Sequence, residues 1–241
     1  MKKILVTGSS GFIGSHVLHK LKMLGFDAKG VDKKNGYDIQ KLFHAHSNVV
    51  IHCAANLFDN FDENIRSTKK LVYMLPDAQF IFTSSAAVYG NTHGAREDDQ
   101  LKPYGEYGYS KVVEEAIIRT LIPKHTILRL GNVYGYGTDH GIVHKMLNGC
   151  NELNNNGESV RDFVHVDDVV NVILRSVLEP QKWQGTYNVA TGVGTTIKEL
   201  FYSLHPENNY INSGFKEEIR ESILNINKAR KNGYDPKHIY Y

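Results

Sequence analysis

Short apolar runs alternate with longer segments of helical periodicity through the first half of this chain. Strands are predicted at residues 3–7, 28–31, 49–52, 79–84, 126–130 and 186–190. Most of these runs are rich in Ile, Val and Phe without strict alternation, which is typical of strands that are covered on both faces. Helices are predicted between the strands, near residues 14–24, 64–75 and 109–121. Because strands and helices alternate, we expect an α/β fold built on a doubly wound parallel sheet.

The pattern of the chain changes after Gly135. A polar segment at residues 151–157 precedes a short predicted strand at 160–165 and a helix from about 166 to 178. From residue 195 onward, short helical pieces alternate with Gly and Asn turns. We therefore expect a large doubly wound domain and a small C-terminal cap. The domain takes residues 1–135 plus about 164–194, and the cap takes residues about 136–163 plus 195–241.

A glycine-rich turn, TGSSGFIG at residues 7–14, follows the first predicted strand. Gly8 permits a tight turn, Gly11 lets the backbone approach a pyrophosphate, and Gly14 lets the next helix pack on the strand. Asp32 ends the second predicted strand, where a carboxylate accepts hydrogen bonds from ribose hydroxyls and repels a 2′-phosphate. A glycine-rich turn without a ligand is the alternative. The strand before, the helix after and the acid at this distance favour a site for NAD rather than NADP.

Tyr107 and Lys111 are four positions apart, so on a helix their side chains share a face. Lowering the pKa of a tyrosine from about 10 to 7 requires a preference of roughly 4 kcal/mol for the phenolate. One ammonium about 4 Å away supplies about that much at an effective dielectric near 20. Beside NAD, the pair predicts a general base for a sugar or alcohol hydroxyl. The bare pattern is also met by a structural Tyr and an exposed Lys.

The fourth predicted strand runs into a turn of small residues, TSSAAVYG at residues 83–90. In a doubly wound sheet, ligands bind beyond the carboxyl ends of the strands. Ser85 is expected there, where its hydroxyl would hydrogen-bond the same substrate hydroxyl that Tyr107 deprotonates. The alternative is a Ser/Ala loop selected for its turn geometry.

Three motifs in this order, TGSSGFIG, TSSAAVYG and YGYSK, resemble those of the extended short-chain dehydrogenase/reductase family, specifically its NAD-dependent nucleotide-sugar epimerase/dehydratase group. Further stretches agree, so the resemblance covers nearly the whole chain: VIHCAA, LRLGNVYG, RDFVHVDD, YNVA and KAR before GYDP. It implies a Rossmann-type domain that binds NAD and a cap that binds the substrate. The chain is shorter than is usual for the family, in the loop at 56–63 and in the cap. Because of this shortening, the resemblance does not identify the substrate.

The resemblance assigns roles to individual residues. The catalytic residues would be Ser85, Tyr107 and Lys111. The nucleotide diphosphate sugar would be held by Ser85, Asn132, Arg161 and Arg220. The NAD site would comprise Gly8, Ser10, Gly11, Phe12, Ile13, Gly14, Asp32, Asp38, Ile39, Ala54, Ala55, Ser84, Tyr107 and Lys111.

Ala86 and Ala87 bear on the class of reaction. Dehydratases of the group carry an Asp-Glu pair at these positions, and related decarboxylases keep a Glu at the second. Elimination of water or decarboxylation calls for a positioned acid or base beyond the tyrosine, and two methyl groups supply none. We therefore expect epimerization at C4 of a nucleotide-diphosphate sugar through a transient 4-keto intermediate. The alternatives are an NAD(H)-dependent reductase or dehydrogenase of a 4-keto nucleotide sugar, and a non-catalytic NAD-binding scaffold.

Composition excludes several other classes of protein. The net charge is +2 and the lysine pairs are scattered, so the basic stripe of a nucleic-acid-binding protein is absent. No apolar stretch is long enough for a membrane span or a signal peptide. Cys53 and Cys150 are isolated, which argues for a reducing cytosol and against a disulfide framework or a zinc site. We expect a cytoplasmic protein without nucleic-acid or membrane partners.

Two further groups of polar residues are not interpreted as metal-binding or catalytic. Histidines lie close together at residues 44 and 46 and at 140 and 144, but further ligands of fixed geometry are lacking, so no metal is expected and the histidines are interpreted as solvated or substrate-facing. Asp167-Asp168 is interpreted as the N-cap and first-turn acid of a helix rather than as a catalytic carboxylate pair.

The family resemblance also implies a homodimer with a four-helix interface. The second and third predicted helices would supply it. The third helix carries suitable apolar residues at Val112, Val113, Ala116, Ile117 and Leu121.

Overall fold

A computed structural model describes residues 2–41, 46–57 and 61–237 of the chain. His44 and residues 58–60 of the shortened loop lie outside the described residues. In chain order, the strands and helices are β1 (Lys3–Thr7), α1 (Phe12–Met23), β2 (Asp27–Val31), β3 (Val49–His52), α2 (Phe61–Met74), β4 (Gln79–Ser85), β5 (Thr92–Ala95), α3 (Gly105–Leu121), β6 (His125–Leu130), β7 (Asn132–Tyr134), α4 (Gly141–Leu147), β8 (Glu152–Leu153), β9 (Val160–His165), α5 (Val166–Leu178), β10 (Gly185–Val189), β11 (Gly194–Thr196), α6 (Ile197–Leu204), β12 (Ile211–Asn212), β13 (Glu221–Leu224) and α7 (Asn227–Lys231).

The central sheet has six parallel strands in the order β2-β1-β3-β4-β6-β10. All six predicted strands are present, and each end lies within one residue of its predicted position. Thr7 is paired with His52, and His52 with Phe82, so β1 and β3 end level with each other while β4 runs three residues further, to Ser85. The strand order reverses between β1 and β3, and such a switch point is where doubly wound sheets bind ligands.

Helices cover both faces of this sheet, as a doubly wound fold requires. On β1, Ile4 and Val6 pack in one apolar cluster with residues of α1 and α5. Leu5, between them, packs in a second cluster with residues of α2 and α3. Successive side chains of a strand point to opposite faces, so strands buried on both sides are apolar at every position. The predicted α/β fold with a doubly wound parallel sheet is therefore confirmed.

A second sheet has the strand order β11-β9-β13-β5, and β7 is also paired with β9. Strands β5 and β7 fall in the predicted large domain, whereas β13 falls in the predicted cap, so this sheet joins the two. The second half also has an apolar cluster of its own, formed by Tyr134, Val143, Met146, Leu153, Phe163, Leu200 and Phe201. The division into a domain and a cap stays a prediction.

Helix α5 begins differently from the sequence-based expectation. Its N-cap is His165, whose Nδ1 accepts a hydrogen bond from the backbone N–H of Asp167 at 3.2 Å. Asp167 and Asp168 both lie in the first turn, where their negative charges interact favourably with the positive end of the helix dipole. The expectation of a first-turn acid is met, and that of an Asp N-cap is wrong because a ring nitrogen supplies the acceptor.

Across residues 2–41, 46–57 and 61–237, no helix is long and apolar enough to cross a bilayer. Within the same ranges, no three His, Cys, Asp or Glu side chains are grouped closely enough to hold a metal ion. Cys53 and Cys150 are both free thiols.

Candidate active site

A cavity of about 660 Å³ opens at the carboxyl ends of the central strands. The structure places most of the predicted site residues around it: Gly8, Gly11, Phe12, Ile13, Gly14, Asp32, Asp38, Ile39, Ala54, Ala55, Ser84, Ser85, Tyr107, Lys111 and Asn132. Ser10, Arg161 and Arg220 do not line this cavity. The glycine-rich turn and the Tyr–Lys pair, which are almost a hundred residues apart in sequence, therefore share one cavity.

Two glycines of the turn are required by close backbone packing. Gly8 has a φ of +66°, and a Cβ there would lie 2.6 Å from the backbone nitrogen of Ala54. A Cβ on Gly14 would lie 2.1 Å from the carbonyl oxygen of Gly8. Both distances are too short for any side chain, so these glycines hold α1 against β1 and β1 against the end of β3.

The start of α1 is suited to an anion. Gly11 is its N-cap and makes no side-chain capping hydrogen bond, and the first turn holds no acidic residue. Backbone N–H groups and the positive end of the helix dipole therefore face the cavity without a neutralising side chain. Such a helix start can hold a pyrophosphate.

Asp32 is fixed at the end of β2 by two backbone donors. Its Oδ1 accepts from the N–H of Lys34 at 2.8 Å, and its Oδ2 accepts from the N–H of Ser10 at 3.1 Å. Each carboxylate oxygen keeps a further lone pair, so the group can still accept from ribose hydroxyls. Ser10 therefore contributes by orienting Asp32 rather than by lining the cavity.

We expect Asp32→Ala to weaken NAD binding about tenfold, because about 1.4 kcal/mol is lost with the ribose acceptors. The preference for NAD over NADP should fall with it, because the charge that repels a 2′-phosphate is gone. Titration calorimetry with both cofactors measures this. Asp27→Ala, at the exposed start of the same strand, is the matched control. An unchanged NAD/NADP ratio in the Asp32 variant would contradict the assignment.

Tyr107, Lys111 and Ser85 meet at one wall of the cavity. Tyr107 and Lys111 lie one turn apart on α3, and Lys111 Nζ is 5.7 Å from the centroid of the Tyr107 ring. Lys111 is 1% exposed and also lies 4.5 Å from the ring centroid of Phe82. Ser85, at the end of β4, lines the same cavity, and its hydroxyl is close enough to Tyr107 to lower the pKa of the phenol. The geometry can support proton transfer at a substrate hydroxyl bound between Ser85 and Tyr107.

The pKa of Tyr107 lies above its ordinary value, chiefly because burial disfavours the phenolate. The Lys111 ammonium lowers this pKa, the Glu114 carboxylate raises it, and the hydrogen bond with Ser85 lowers it. The sequence-based expectation that Lys111 brings the pKa near 7 is therefore wrong for these residues taken by themselves. It omitted both burial and the second buried charge.

Glu114 was not predicted from the sequence. Its Oε1 lies 3.4 Å from Lys111 Nζ, and both side chains are almost fully buried. The available signal was its position three residues after Lys111, which places an acid beside the lysine on one helix face.

A second buried ion pair fixes α3 against the sheet. Arg129 of β6 donates to Glu115 through Nε to Oε1 at 3.0 Å and through Nη2 to Oε2 at 2.8 Å. The hydroxyl of Ser84 donates to Glu115 Oε1 at 2.6 Å. Arg129 also donates to the hydroxyl of Tyr89 at 2.7 Å. The predicted NAD-site residue Ser84 thus serves to tie β4 to α3.

A known protein family matches most of this chain, including the cavity. The model of the NAD dependent epimerase/dehydratase family matches residues 4–190, which include every residue that lines the cavity. This chain belongs to that family. Its description covers two reaction classes, epimerization and dehydration, and names NAD as the cofactor. The predicted family resemblance is confirmed.

Individual relatives match between 82% and 98% of this family member. A Methanocaldococcus jannaschii protein described as "Putative UDP-glucose 4-epimerase" is 29% identical over 97% of this chain and 93% of its own. The ADP-L-glycero-D-manno-heptose-6-epimerase of Pseudomonas aeruginosa is 28% identical over 82% of this chain and 76% of its own. The solved UDP-glucose 4-epimerase of Thermotoga maritima, with UDP-glucose, is 29% identical over 98% of this chain and 94% of that chain, with a TM-score of 0.82.

The cavity of this family member fits NAD. Glycines 8, 11 and 14 with the uncapped start of α1 would hold the pyrophosphate, and Asp32 would hold the adenosine ribose. Asp38 is itself fixed, since its Oδ1 accepts from the N–H of Gln40 at 2.8 Å, and Ile39 beside it is buried.

The far wall of the cavity was not predicted, apart from Asn132 and the substrate-facing interpretation of His140. It is formed by Tyr134, Thr138, Asp139, His140, Ile142, Val143 and Phe163, among others. His140 pairs through Nδ1 with Asp139 Oδ1 at 2.7 Å. These residues belong to β7, the loop that follows it, the start of α4 and β9, and the sequence pattern did not indicate which of their side chains line the cavity.

The two predicted diphosphate-binding arginines lie together but away from the cavity lining. Arg161, on β9, places Nη2 3.7 Å from Glu218 Oε2 and donates through Nη1 to the carbonyl of Val160 at 2.9 Å. Arg220 immediately precedes β13, whose first residue, Glu221, is paired with Val160. Their role toward a diphosphate stays a prediction.

Proposed function

We propose that this enzyme catalyses NAD-dependent epimerization at C4 of a nucleotide-diphosphate sugar, through a transient 4-keto sugar. The observation that carries the proposal is the convergence of Tyr107, Lys111 and Ser85 beside Ala86 and Ala87. Bound NAD supplies a reversible hydride acceptor for the sugar carbon. Tyr107 takes the proton of the 4-hydroxyl and returns it after the keto sugar has turned over. Ser85 hydrogen-bonds the same oxygen, and Lys111 stabilises the charge of the phenolate.

The residues after β4 favour epimerization over dehydration. Ala86 is 5% exposed and begins a short 3-10 helix that continues through Ala87 and Val88. A dehydratase needs an additional acid or base at the sugar, and methyl groups at these positions provide neither. Two relatives described above as UDP-glucose 4-epimerases support UDP-hexoses as the first substrates to test. The heptose epimerase relative makes ADP-heptose the second substrate to test.

The test is turnover by the purified protein with catalytic NAD. We expect UDP-glucose and UDP-galactose, or their N-acetyl counterparts, to interconvert to the same equilibrium mixture from either side. Deuterium at C4 should stay on the sugar without accumulation of NADH, because the hydride is returned within one active site. Stoichiometric consumption of NADH would instead support the reductase. Bound NAD with no turnover of any sugar nucleotide would support the scaffold.

The diphosphate is proposed to bind Asn132, which lines the cavity, with Arg161 and Arg220 beyond it. Reaching the phosphates would require the Arg161 guanidinium to exchange its contact with Glu218. The proposed location is the cytoplasm.

We expect a homodimer in solution, formed through α2 and α3. The outer face of these helices exposes Tyr73, Tyr109, Val113 and Leu121. Burying such a face stabilises an interface by roughly 25 cal/mol per Å² of apolar area. Val113→Glu should shift the mass measured by light scattering at micromolar concentration from dimer to monomer. Leu178→Glu, at an exposed position of α5, is the control. A wild-type protein that is monomeric in solution would contradict the prediction.

A further inference from the structure

A chain of buried polar side chains runs beneath the cavity and ends at Lys111. Thr7 Oγ1 lies 2.6 Å from His52 Nδ1, and His52 Nε2 lies 2.9 Å from Thr68 Oγ1. The Thr68 hydroxyl donates to Glu114 Oε2 at 2.7 Å, and Glu114 Oε1 faces Lys111 Nζ at 3.4 Å. All five side chains are at most 1% exposed. They come from β1, β3, α2 and α3. Of these five side chains, the reaction proposed above uses only Lys111.

The direction of every hydrogen bond in this chain follows from its end at Glu114. The one hydroxyl proton of Thr68 is donated to the carboxylate, so Thr68 must accept from His52 Nε2–H. Burial lowers the pKa of His52 to about 3, so the ring is neutral and Nδ1 is an acceptor. Thr7 therefore donates to Nδ1, while its oxygen accepts from the N–H of Ala54 at 3.3 Å. Every donor in this chain therefore points toward the Glu114 carboxylate.

Few other charges act on this anion. Lys111 faces it from the same helix, and neutral His52 lies 4.0 Å away on β3. Thr68 faces it from α2. The thiol of Cys53 is neutral, because burial raises its pKa to about 12. Glu115, the next residue, is paired with Arg129 instead.

We propose that Glu114 is a positioning residue for catalysis: it fixes the Lys111 ammonium and limits how strongly that ammonium draws Tyr107 toward the phenolate. The proposal rests on the proposed function, in which Tyr107 is the base. A carboxylate beside the ammonium disfavours ionisation of the phenol, since like charges repel, and it keeps the ammonium protonated. The Lys–Glu pair therefore sets the pH at which the base becomes active.

The test is Glu114→Gln, which keeps the shape of the side chain and removes its charge. We expect the pKa of Tyr107 to fall by about one unit over the pH range in which Lys111 stays protonated, because the ammonium then acts without its counter-ion. The direct readout is the Cζ resonance of ¹³C-labelled tyrosine during a pH titration of the purified protein, with Tyr107 assigned by its loss in Tyr107→Phe. Glu106→Gln, an exposed acid on the same helix, should leave the titration unchanged.

The same variant should move the acid limb of the kcat pH profile to lower pH by about one unit. If Glu114→Gln does not fold, Glu114→Asp carries the test, because retraction of the carboxylate from Lys111 should shift the titration in the same direction by less. A folded variant whose Tyr107 titrates as in the wild type would overturn the proposal. A shifted resonance in a protein without epimerase turnover would uphold Glu114's role and reject the proposed function instead.

Discussion

Tyr107→Phe is expected to lower kcat for the proposed epimerization about 1,000-fold, because the proposed general base is removed while the ring that packs in the cavity wall stays. Ser85 and Lys111 both act on the hydroxyl of Tyr107. Without that hydroxyl, neither side chain can assist proton transfer. Initial rates of sugar-nucleotide interconversion measure the effect. Titration of NAD should show nearly unchanged affinity, which separates a chemical defect from a binding defect.

The matched control is Tyr109→Phe, two positions further along α3. Its side chain is 61% exposed and takes no part in the cavity wall. It should epimerise at the wild-type rate. Retained epimerization in Tyr107→Phe would contradict the mechanism, whatever the substrate.

The rate should also depend on pH in a defined direction. Burial and Glu114 hold the pKa of Tyr107 above its ordinary value, so the phenol is protonated at neutral pH unless a further positive charge is bound. Because the base must be deprotonated to act, kcat should rise about tenfold per pH unit below the pKa of Tyr107 in the complex. A flat profile between pH 6 and 9 would mean that a different step limits the rate.

The sheet could be predicted almost to the residue, whereas the helix starts could not. Strands buried on both faces are apolar at every position, so their ends coincide with visible changes in composition. Helices α1, α2 and α3 begin two to four residues earlier than predicted. The N-caps of α1 and α3, Gly11 and Tyr104, make no side-chain capping hydrogen bond. A pattern-based prediction relies on such caps and therefore places these starts too late.

The Tyr–Lys pair of the candidate site could be predicted from its spacing in the sequence. The burial and the charges around the pair could not. Tyr107 and Lys111 share a helix face, so four-residue spacing brings them together. Thr68 and Glu114 are 46 positions apart and meet only because α2 packs on α3. The charge that opposes Lys111 lies on the same helix, three positions further along, whereas the hydrogen bond that holds its carboxylate is a tertiary contact. The burial that raises the pKa of Tyr107 also depends on the elements packed on α3, so the sequence of this helix alone does not give it.

The largest expected loss of stability comes from Arg129→Leu. Arg129 is 1% exposed and compensates the buried Glu115 with two hydrogen bonds. Without Arg129, the buried Glu115 carboxylate keeps only the partly exposed Arg119, at 2.9 Å from its Oε2, as a counter-ion. Removing one partner of a buried ion pair costs about 3–5 kcal/mol, and we expect the lower end of this range here. Urea unfolding at pH 7 measures the change in the free energy of unfolding. Arg96→Leu, whose pair with Asp98 is exposed, should change it by less than about 0.5 kcal/mol.

A second variant identifies the buried carboxylate as the cause. The double variant Arg129→Leu, Glu115→Leu should recover most of the lost free energy of unfolding, because neither charge is then buried. A double variant that stays as unstable as Arg129→Leu would point to lost packing of the arginine rather than to the charge of Glu115.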